Sequence, residues 1–278
     1  LARLGTIRPS AASLQLCFPY LSPHFQRVLA VSMPSVILAV DTSGMCGTLA
    51  LRRGGELLEE RELEQTRRRH AQTLISEVQE LLLAHRLAPV DVGVVAVSHG
   101  PGSFTGLRVG IVFAKTFAYV TGCSIVAVDT LEAVAASVTA DGFSEINHLH
   151  VVSDAQREQL FVSDFCRTSD GWWQATGPIG ISDCERWRDD VARLATVGFA
   201  VSGTGLTKMA DELALAPAVH CLPEEMWTPR AANVAAIAER LAAEKQFADP
   251  FELEPFYLRK SSAEEKREAK LAAEAENA

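Results

Sequence analysis

The sequence lacks the cysteine spacings of a zinc site. Its six cysteines are scattered, and none forms a CxxC pair or stands with histidines at a zinc-binding distance along the chain. Some lie in apolar runs, where a reduced and buried thiol is the usual state. We therefore expect a reducing, cytoplasmic compartment. The cysteines are Cys17, Cys46, Cys123, Cys166, Cys184 and Cys221.

The sequence is also short of positive charge and of long apolar runs. It has 26 Lys and Arg against 35 Asp and Glu, which gives a formal net charge of −9. Because phosphate contacts need a basic surface, this balance predicts a poor stand-alone nucleic-acid binder, and any RNA contact should come through a partner. No apolar run reaches the roughly 18–20 residues that span a bilayer, so we expect no membrane association.

The length of 278 residues and a hydrophobic content of 48% predict a full core in one large or two smaller domains. Residues 1–32 have no acidic residue and no periodic apolar face, and we expect a poorly ordered extension. Met33 is then the expected start of the protein, with a transit peptide as the alternative reading of the extension. Residues 260–278, charged and rich in alanine, predict a solvated helix or a disordered tail.

A glycine-rich turn organises the sequence. Residues 93–97 predict a buried strand and residues 107–120 a buried helix, while the seven residues from 100 to 106 include three glycines and a proline. Such a turn aims backbone N–H groups at the space above the helix N-terminus, which suits an anion, but a tight turn without a ligand has the same pattern. The residues of this glycine turn are Gly100, Gly102, Ser103, Thr105, Gly106 and Arg108.

Small residues recur every four positions along the helix that follows, at Gly106, Gly110, Ala114 and Ala118. Residues four apart share one helix face, and a face of small residues lets another backbone approach closely. Because the helix is apolar on all sides, we predict that this face contacts another subunit. Packing within the same chain is the alternative.

The order of predicted elements repeats. Residues 33–140 and 141–259 each predict β-β-β-α-β-α-β-α, and the first strand of each set ends in a carboxylate, Asp41 or Asp154. The first helix of the first set is predicted over residues 71–85, and the second helix of the second set over residues 206–214. A repeated order indicates two lobes of like α/β fold, an N-terminal lobe and a C-terminal lobe. Ligands tend to bind in the cleft between such lobes.

Six motifs within residues 35–259 resemble a known family. In chain order they are ILAVDTS, RRRHAQTL, GPGSFTGLRVG followed by AK, VDTLEA, DAQREQLF and PFYLR. They resemble the TsaB (YeaZ) family of bacterial tRNA threonylcarbamoyladenosine biosynthesis proteins. The resemblance implies duplicated lobes of the actin, Hsp70 and sugar-kinase type, which are ribonuclease H-like, in agreement with the repeated order.

The resemblance also implies a function. Proteins of this family pair with a related catalytic subunit, TsaD, and act together with an ATPase, TsaE. The complex transfers a threonylcarbamoyl group to adenosine 37 of tRNAs that read codons starting with A. The resemblance therefore implies a non-catalytic scaffold or activator subunit in a heterodimer, with tRNA bound indirectly through the complex and a homodimer when the partner is absent.

The residues themselves predict no metal site. The catalytic relative has two metal-binding histidines where this chain has Thr130 and Val134, and neither side chain is a credible replacement. His70 and His99 remain, but a lone histidine is more often a cap or a core residue than a ligand.

Nucleotide binding is predicted to be weak, with no cofactor required. The loop after the first strand partly fits a phosphate loop, whereas residues 154–158 lack the glycines that let backbone approach a phosphate. A Gly-Thr-Gly turn loosely resembles the adenosine side of such sites, so ATP or ADP could bind weakly. The candidate nucleotide-binding residues are Asp41, Thr42, Ser43, Gly44, Gly203 and Gly205.

Two enzyme classes are alternatives to the scaffold. A small-molecule kinase of the same fold could use Asp41 and Asp154 for Mg²⁺ or general-base chemistry, but the second loop is degenerate. A protease could use Ser103 as its nucleophile, but no histidine or aspartate can be assigned to it as the required base. We predict no catalytic residue.

Overall fold

The computed structural model describes residues 36–63, 70–139, 141–194, 199–209 and 219–259. The predictions made for residues 1–32 and 260–278 lie outside these described residues, and so does the larger part of a helix predicted over residues 206–214.

The first sheet has five mixed strands in the order β3-β2-β1-β4-β5. The strands β1 and β2 are antiparallel, and β1, β4 and β5 run parallel. The apolar run of β1 is buried along its whole length because helices cover both faces of this sheet. The strands are β1 Ile37–Asp41, β2 Thr48–Arg53, β3 Glu56–Glu62, β4 Val94–Gly100 and β5 Ser124–Asp129.

Three helices follow the strands of this sheet. They are α1 His70–Ala84, α2 Phe104–Thr121 and α3 Thr130–Ala135, with a short 3-10 helix at Pro89–Asp91. The Ser103 hydroxyl caps the start of α2, and Gly122 ends it with a positive φ of 74°. None of the described helices is long and apolar enough to cross a membrane.

The second sheet has the order β11-β10-β6-β7-β8, and β9 pairs with the start of β7. A long antiparallel pair, β6 with β7, forms its centre. The strands are β6 His148–Gln156, β7 Gln159–Arg167, β8 Trp173–Ala175, β9 Gly180–Asp183, β10 Phe199–Ser202 and β11 His220–Cys221. The helices are α4 Cys184–Leu194 and α5 Ala231–Ala243, with 3-10 helices at Thr204–Lys208 and Glu224–Met226.

The predicted α/β class with two like lobes is confirmed, with local differences in the second lobe. Four strands, where three were predicted, precede α4, since β8 and β9 share one edge of β7. A 3-10 helix at Thr204–Lys208 stands where the helix 206–214 was predicted to begin. Gly203 and Gly205 lie against β6 there, and this close approach favours a tight turn over a regular helix.

The last helix, α5, packs on the first sheet although it follows the second sheet in the chain. Its buried residues Val234 and Ile237 belong to the same apolar cluster as Ile37 and Ala96. At its edge Arg52 Nε donates to Glu239 Oε2 over 2.6 Å. The boundary predicted at residue 140 stays a prediction, but the stretch 141–259 includes this helix on the other sheet.

Candidate functional site

The glycine turn lies directly on the loop that follows β1. The Thr42 hydroxyl donates to the Gly106 carbonyl over 2.7 Å, and the Ser103 N–H donates to the Ser43 carbonyl over 2.7 Å. Two elements that are distant in the chain are therefore joined by hydrogen bonds at the carboxyl ends of the neighbouring parallel strands β1 and β4.

The glycines are needed for this contact. A Cβ atom at Gly102 would lie 2.6 Å from the Ser43 carbonyl oxygen, and one at Gly106 only 1.9 Å from the Thr42 carbonyl oxygen. At Gly110 it would meet the Thr42 hydroxyl at 2.5 Å. Atoms of neighbouring residues do not approach so closely, so these three positions exclude any larger side chain. The glycine pattern thus has a packing explanation that needs no ligand.

Asp41 is fully buried below this contact. Its carboxylate accepts hydrogen bonds from the Ser43 backbone N–H at 3.2 Å and from the Ser43 hydroxyl at 2.9 Å. Burial raises the pKa of Asp41 from 3.8 to about 6, while the hydrogen bonds from the side chain and backbone of Ser43 lower it. Desolvation therefore outweighs the hydrogen bonds.

The predicted first phosphate loop is consequently covered by its own chain. Asp41, Thr42 and Ser43 are buried, and only Gly44 is exposed. Nucleotide binding by these residues stays a prediction, and it would require the turn at 100–106 to move away from the loop.

The second candidate loop is built differently. A Cβ atom at Gly203 would lie 1.9 Å from the Val152 carbonyl oxygen, and one at Gly205 would lie 2.6 Å from a methyl of Leu160. These glycines therefore lie against β6 and β7. Asp154, the first residue of the predicted loop 154–158, is left partly exposed and pairs with Lys208 at 3.3 Å.

Lys208 forms ion pairs with both acidic residues of the second loop, Asp154 and Glu158. Lys208 also lies 3.5 Å from Glu158. Burial lowers the pKa of Lys208, but Asp154 and Glu158 outweigh burial and leave it raised. Gly203 and Gly205, predicted on the adenosine side of a nucleotide site, thus form a tight turn against β6 and β7. The ion pair between Asp154 and Lys208 lies beside this turn.

The structure corrects the placement of the small-residue face of α2. Gly110, Ala114 and Ala118 are buried against their own chain, and Gly106 carries the close contact with Thr42 described above. The two alanines share an apolar cluster with Val95, Val97 and Leu253. Small side chains are required here because α2 lies close to β4 and to the loop after β1. This face is filled by the chain itself and does not offer a surface to a partner.

The two positions that correspond to metal-binding histidines are buried. Thr130 and Val134 are 3% and 2% exposed, and Val134 packs in an apolar cluster with Leu149 and Phe161. Within the part of the chain that the structure describes, no group of three or more His, Cys, Asp or Glu side chains could hold a metal ion.

Asp129, next to this position, has a structural role. Its carboxylate caps α3 by accepting from the N–H groups of Leu131 at 2.7 Å and Glu132 at 3.2 Å. Burial raises the pKa of Asp129 to about 6, and the two backbone hydrogen bonds lower it.

The hydroxyl of Ser103 accepts from the Gly106 N–H over 3.3 Å as the N-cap of α2. The nearby His99 packs against the ring of Phe256 at 6.0 Å between centroids, and burial lowers its pKa. These contacts give both residues a structural explanation, so nothing in them supports a protease.

An apolar groove between α1 and α2 is a candidate binding surface that the sequence analysis did not locate. Its cavity volume is about 850 Å³. Ile75 and Val112, on its two sides, are 64% and 61% exposed, and Leu83 and Val120 extend the exposed apolar surface. The all-round apolar character of α2 was the signal for it, but sequence spacing directed attention to the opposite face.

Arg108 lies at this groove and is held by aromatic rings. Its guanidinium carbon lies 3.9 Å from the centre of the Phe104 ring, and its Nε donates to the Tyr257 hydroxyl over 3.0 Å. The rings of Phe104 and Tyr257 stack at 4.6 Å. The Thr105 side chain, also predicted in the turn, is exposed.

The C-terminal segment that carries Tyr257 is fixed to both lobes. The Phe256 N–H donates to the His99 carbonyl over 2.7 Å, and a Cβ atom at Gly100 would lie 2.6 Å from the Phe256 carbonyl oxygen. On the other side Arg259 donates to the Ala155 carbonyl over 2.7 Å. This explains the packing of the PFYLR motif on the glycine turn.

The duplicated α/β lobes and their strand-end loops define a protein of the actin, Hsp70 and sugar-kinase fold class. The family model described as TsaD, tRNA N6-adenosine threonylcarbamoyltransferase, matches residues 56–267. The TsaB protein of Bacillus subtilis is 30% identical over 83% of this chain and 96% of its own length. The chain therefore belongs to the TsaB (YeaZ) family within this larger family, as the motifs predicted.

Two further comparisons agree with this assignment. The TsaB protein of Escherichia coli is 26% identical over 82% of this chain and 96% of its own length. The solved structure of YeaZ from Pseudomonas aeruginosa has a TM-score of 0.66 at 23% identity, over 81% of this chain and all of that chain. The second similarity shows the shared fold.

Proposed function

We propose that this chain is the non-catalytic scaffold subunit of a complex that forms threonylcarbamoyladenosine at position 37 of tRNAs reading codons that start with A. Involvement in this biosynthesis is what the names of its relatives indicate. The catalytic subunit is a TsaD-like protein, a TsaE-like ATPase completes the machinery, and tRNA is held through the complex in the cytoplasm.

The observation that carries this proposal is the exposed apolar groove between α1 and α2. Ile75, Leu83, Val112 and Val120 expose large apolar side chains around one cavity of about 850 Å³. Exposed patches of this kind on a folded chain mark protein contacts, because covering them removes apolar surface from water. We assign the groove to a helical surface of the TsaD-like subunit, and we expect a second copy of the chain to occupy it when that subunit is absent.

The strand-end loops support a scaffold over a kinase. Asp41 is buried beneath the glycine turn, and Asp154 is paired with Lys208. A kinase needs both loops open to phosphate and Mg²⁺. Burial of one loop and ion pairing in the other therefore favour the scaffold hypothesis.

Val112→Glu tests the interface. The side chain is exposed in the free chain, so the variant should fold, but in the complex its carboxylate would be buried without a partner. An unpaired buried charge costs roughly 3 kcal/mol or more, which corresponds to a loss of about a hundredfold in affinity. We expect loss of co-purification with the TsaD-like subunit and loss of tRNA modification in a reconstituted system.

Phe251→Glu is the matched control, because Phe251 is 89% exposed and does not line the groove. It should bind the catalytic subunit as the wild-type chain does. A folded Val112→Glu variant that binds at full strength would contradict the groove as the interface. A wild-type chain that neither binds the subunit nor supports modification would contradict the scaffold function.

A further inference from the structure

The groove between α1 and α2 is mainly apolar, and Arg108 is the α2 residue of its lining that lies nearest the start of that helix. Arg108 is the one charged residue among the described residues that line it, and the other lining residues are mainly aliphatic or aromatic. A partner that covers this groove therefore meets a long apolar surface and a single cation.

Arg108 is ordered before any partner arrives. Its guanidinium stacks on Phe104 at 3.9 Å, and its Nε is used by the Tyr257 hydroxyl. Tyr257 in turn is fixed by the neighbouring Phe256, whose N–H donates to the His99 carbonyl. Most of the side-chain entropy that an exposed arginine loses on binding is thus already lost in the free chain.

Arg108 also has no carboxylate partner among the described residues. Its terminal nitrogens make no hydrogen bond within that part of the chain, and no acidic side chain lies within salt-bridge distance of it there. Within the described part of the chain, the terminal nitrogens of the guanidinium are therefore left without a hydrogen-bond acceptor.

We propose that Arg108 is the specificity-determining residue of the interface, and that it pairs with a carboxylate of the TsaD-like subunit near the start of α2. The planar guanidinium offers two parallel donors, which match the two oxygens of a carboxylate. Phe104 and Tyr257 are positioning residues that hold the fork in one orientation. This inference rests on the proposed function and adds the chemistry that selects the partner.

The chemistry of the surroundings favours a protein carboxylate over an RNA phosphate. The lining residues that follow Arg108 on α2, such as Val109 and Val112, are apolar and suit a protein surface. The net charge of −9 also opposes a close approach of RNA on its own.

The experiment measures the dissociation constant between the full chain and the TsaD-like subunit at 0.1 and 0.5 M NaCl. We expect Arg108→Gln to weaken binding about tenfold at low salt and to remove most of the salt dependence, since screening acts on the lost ion pair. Tyr257→Phe, which keeps the stack but removes the acceptor of Nε, should weaken binding two- to threefold. Arg108→Lys should recover only part of the affinity, because it keeps the charge without the fork.

Lys115→Gln on the same helix is the matched control, because it removes one positive charge that does not line the groove. Lys115→Gln should leave the dissociation constant unchanged at both NaCl concentrations. The decisive arm combines Arg108→Glu with arginine placed at acidic positions of the subunit one at a time, where one charge reversal should restore binding.

The outcomes separate the two proposals. Failure of the wild-type chain to bind the subunit would overturn the proposed function and this inference together. Wild-type binding with an unchanged constant and salt dependence for Arg108→Gln would overturn this inference alone. If Arg108→Gln instead weakens only the binding of tRNA to the assembled complex, a phosphate contact replaces the carboxylate and the inference is likewise overturned.

Discussion

Asp41 is the last residue of β1, and Asp154 lies two residues before the end of β6, which continues past the predicted strand end, yet the surroundings of the two carboxylates differ. Asp41 is fully buried, and its hydrogen bonds come from its own loop. The side chain of Asp154 is 37% exposed and pairs with Lys208. The same residue type near the end of the first strand is therefore a desolvated acid in one lobe and a partly solvated ion-pair member in the other.

The position of the nearby glycines causes this difference. In the first lobe, Gly102 and Gly106 bring α2 down onto the loop that follows β1 and close it. In the second lobe, Gly203 approaches the backbone of β6 at Val152, two residues before the carboxylate, and leaves Asp154 open. The glycines of the turn that covers the first loop, and Gly203 and Gly205 in the second lobe, therefore serve packing contacts, and the place of the contact decides what remains accessible.

The largest effect is expected from Gly106→Ala, which tests whether the closed first loop depends on the glycine contact. The new Cβ atom would lie 1.9 Å from the Thr42 carbonyl oxygen, so backbone must move. We expect a loss of about 3 kcal/mol or more in the free energy of unfolding, measured by urea denaturation.

Gly44→Ala in the same loop is the control, because its Cβ atom would lie at an ordinary 3.8 Å from the Cys46 carbonyl oxygen. It should change stability by well under about 1 kcal/mol. Equal stabilities for the two variants would show that the close contact at Gly106 does not hold the loop closed.

The second effect is a pH dependence that belongs to the buried acid. The folded-state pKa of Asp41 is raised from 3.8 to about 6, so the folded state binds the proton more tightly than the unfolded state. Its stabilising contribution is present at low pH and is lost as pH rises from about 4 to 6, with a total of about 3 kcal/mol for a shift of this size. Asp41→Asn should flatten the curve of unfolding free energy against pH over this window.

A second buried carboxylate sharpens this test. Asp129, whose pKa is also raised to about 6, contributes in the same direction, so Asp129→Asn should flatten the curve further while it keeps the cap of α3. A slope that Asp41→Asn does not change would contradict the buried state of this acid.

The smallest effects are expected when the side chains that contact Asp41 and Asp154 are removed. Ser43→Ala removes a hydroxyl bond and leaves the buried Asp41 less satisfied, which should cost about 1–3 kcal/mol of unfolding free energy. Lys208→Met removes a solvated ion pair and should cost less than about 1 kcal/mol. Thermal unfolding of both variants measures the difference, and a larger loss for Lys208→Met would reverse the comparison.

Local patterns predicted much of this fold. The buried strand β1, the strand-turn-helix at 94–121 and the helix α1 follow from apolar periodicity and glycine position, and the structure has them at nearly the predicted places. The helix expected from residue 206 was wrong at its start, because the close approach of Gly203 and Gly205 to β6 is a contact between distant segments. No local pattern carries that information.

For the candidate site, too, the sequence predicted one part and missed another. The residues of the glycine turn and of both strand-end loops were named from the sequence, because their types and spacing are local properties. Their roles were not, since burial of Asp41 and pairing of Asp154 with Lys208 depend on segments 50 or more residues apart. The groove beside Val112 was missed because exposure of an apolar residue depends on what packs against it.

The sequence by itself determined the α/β class, the repeated order of elements, the family and the set of chemically distinctive residues, because periodicity, turn residues and motifs are written in adjacent positions. Only the tertiary structure decided which face of α2 is filled by its own chain and which remains open. It also decided that α5 covers the first sheet and that Arg108 is held by Phe104 and Tyr257. These contacts join residues far apart in the chain, and their geometry follows from the packing of whole elements against one another.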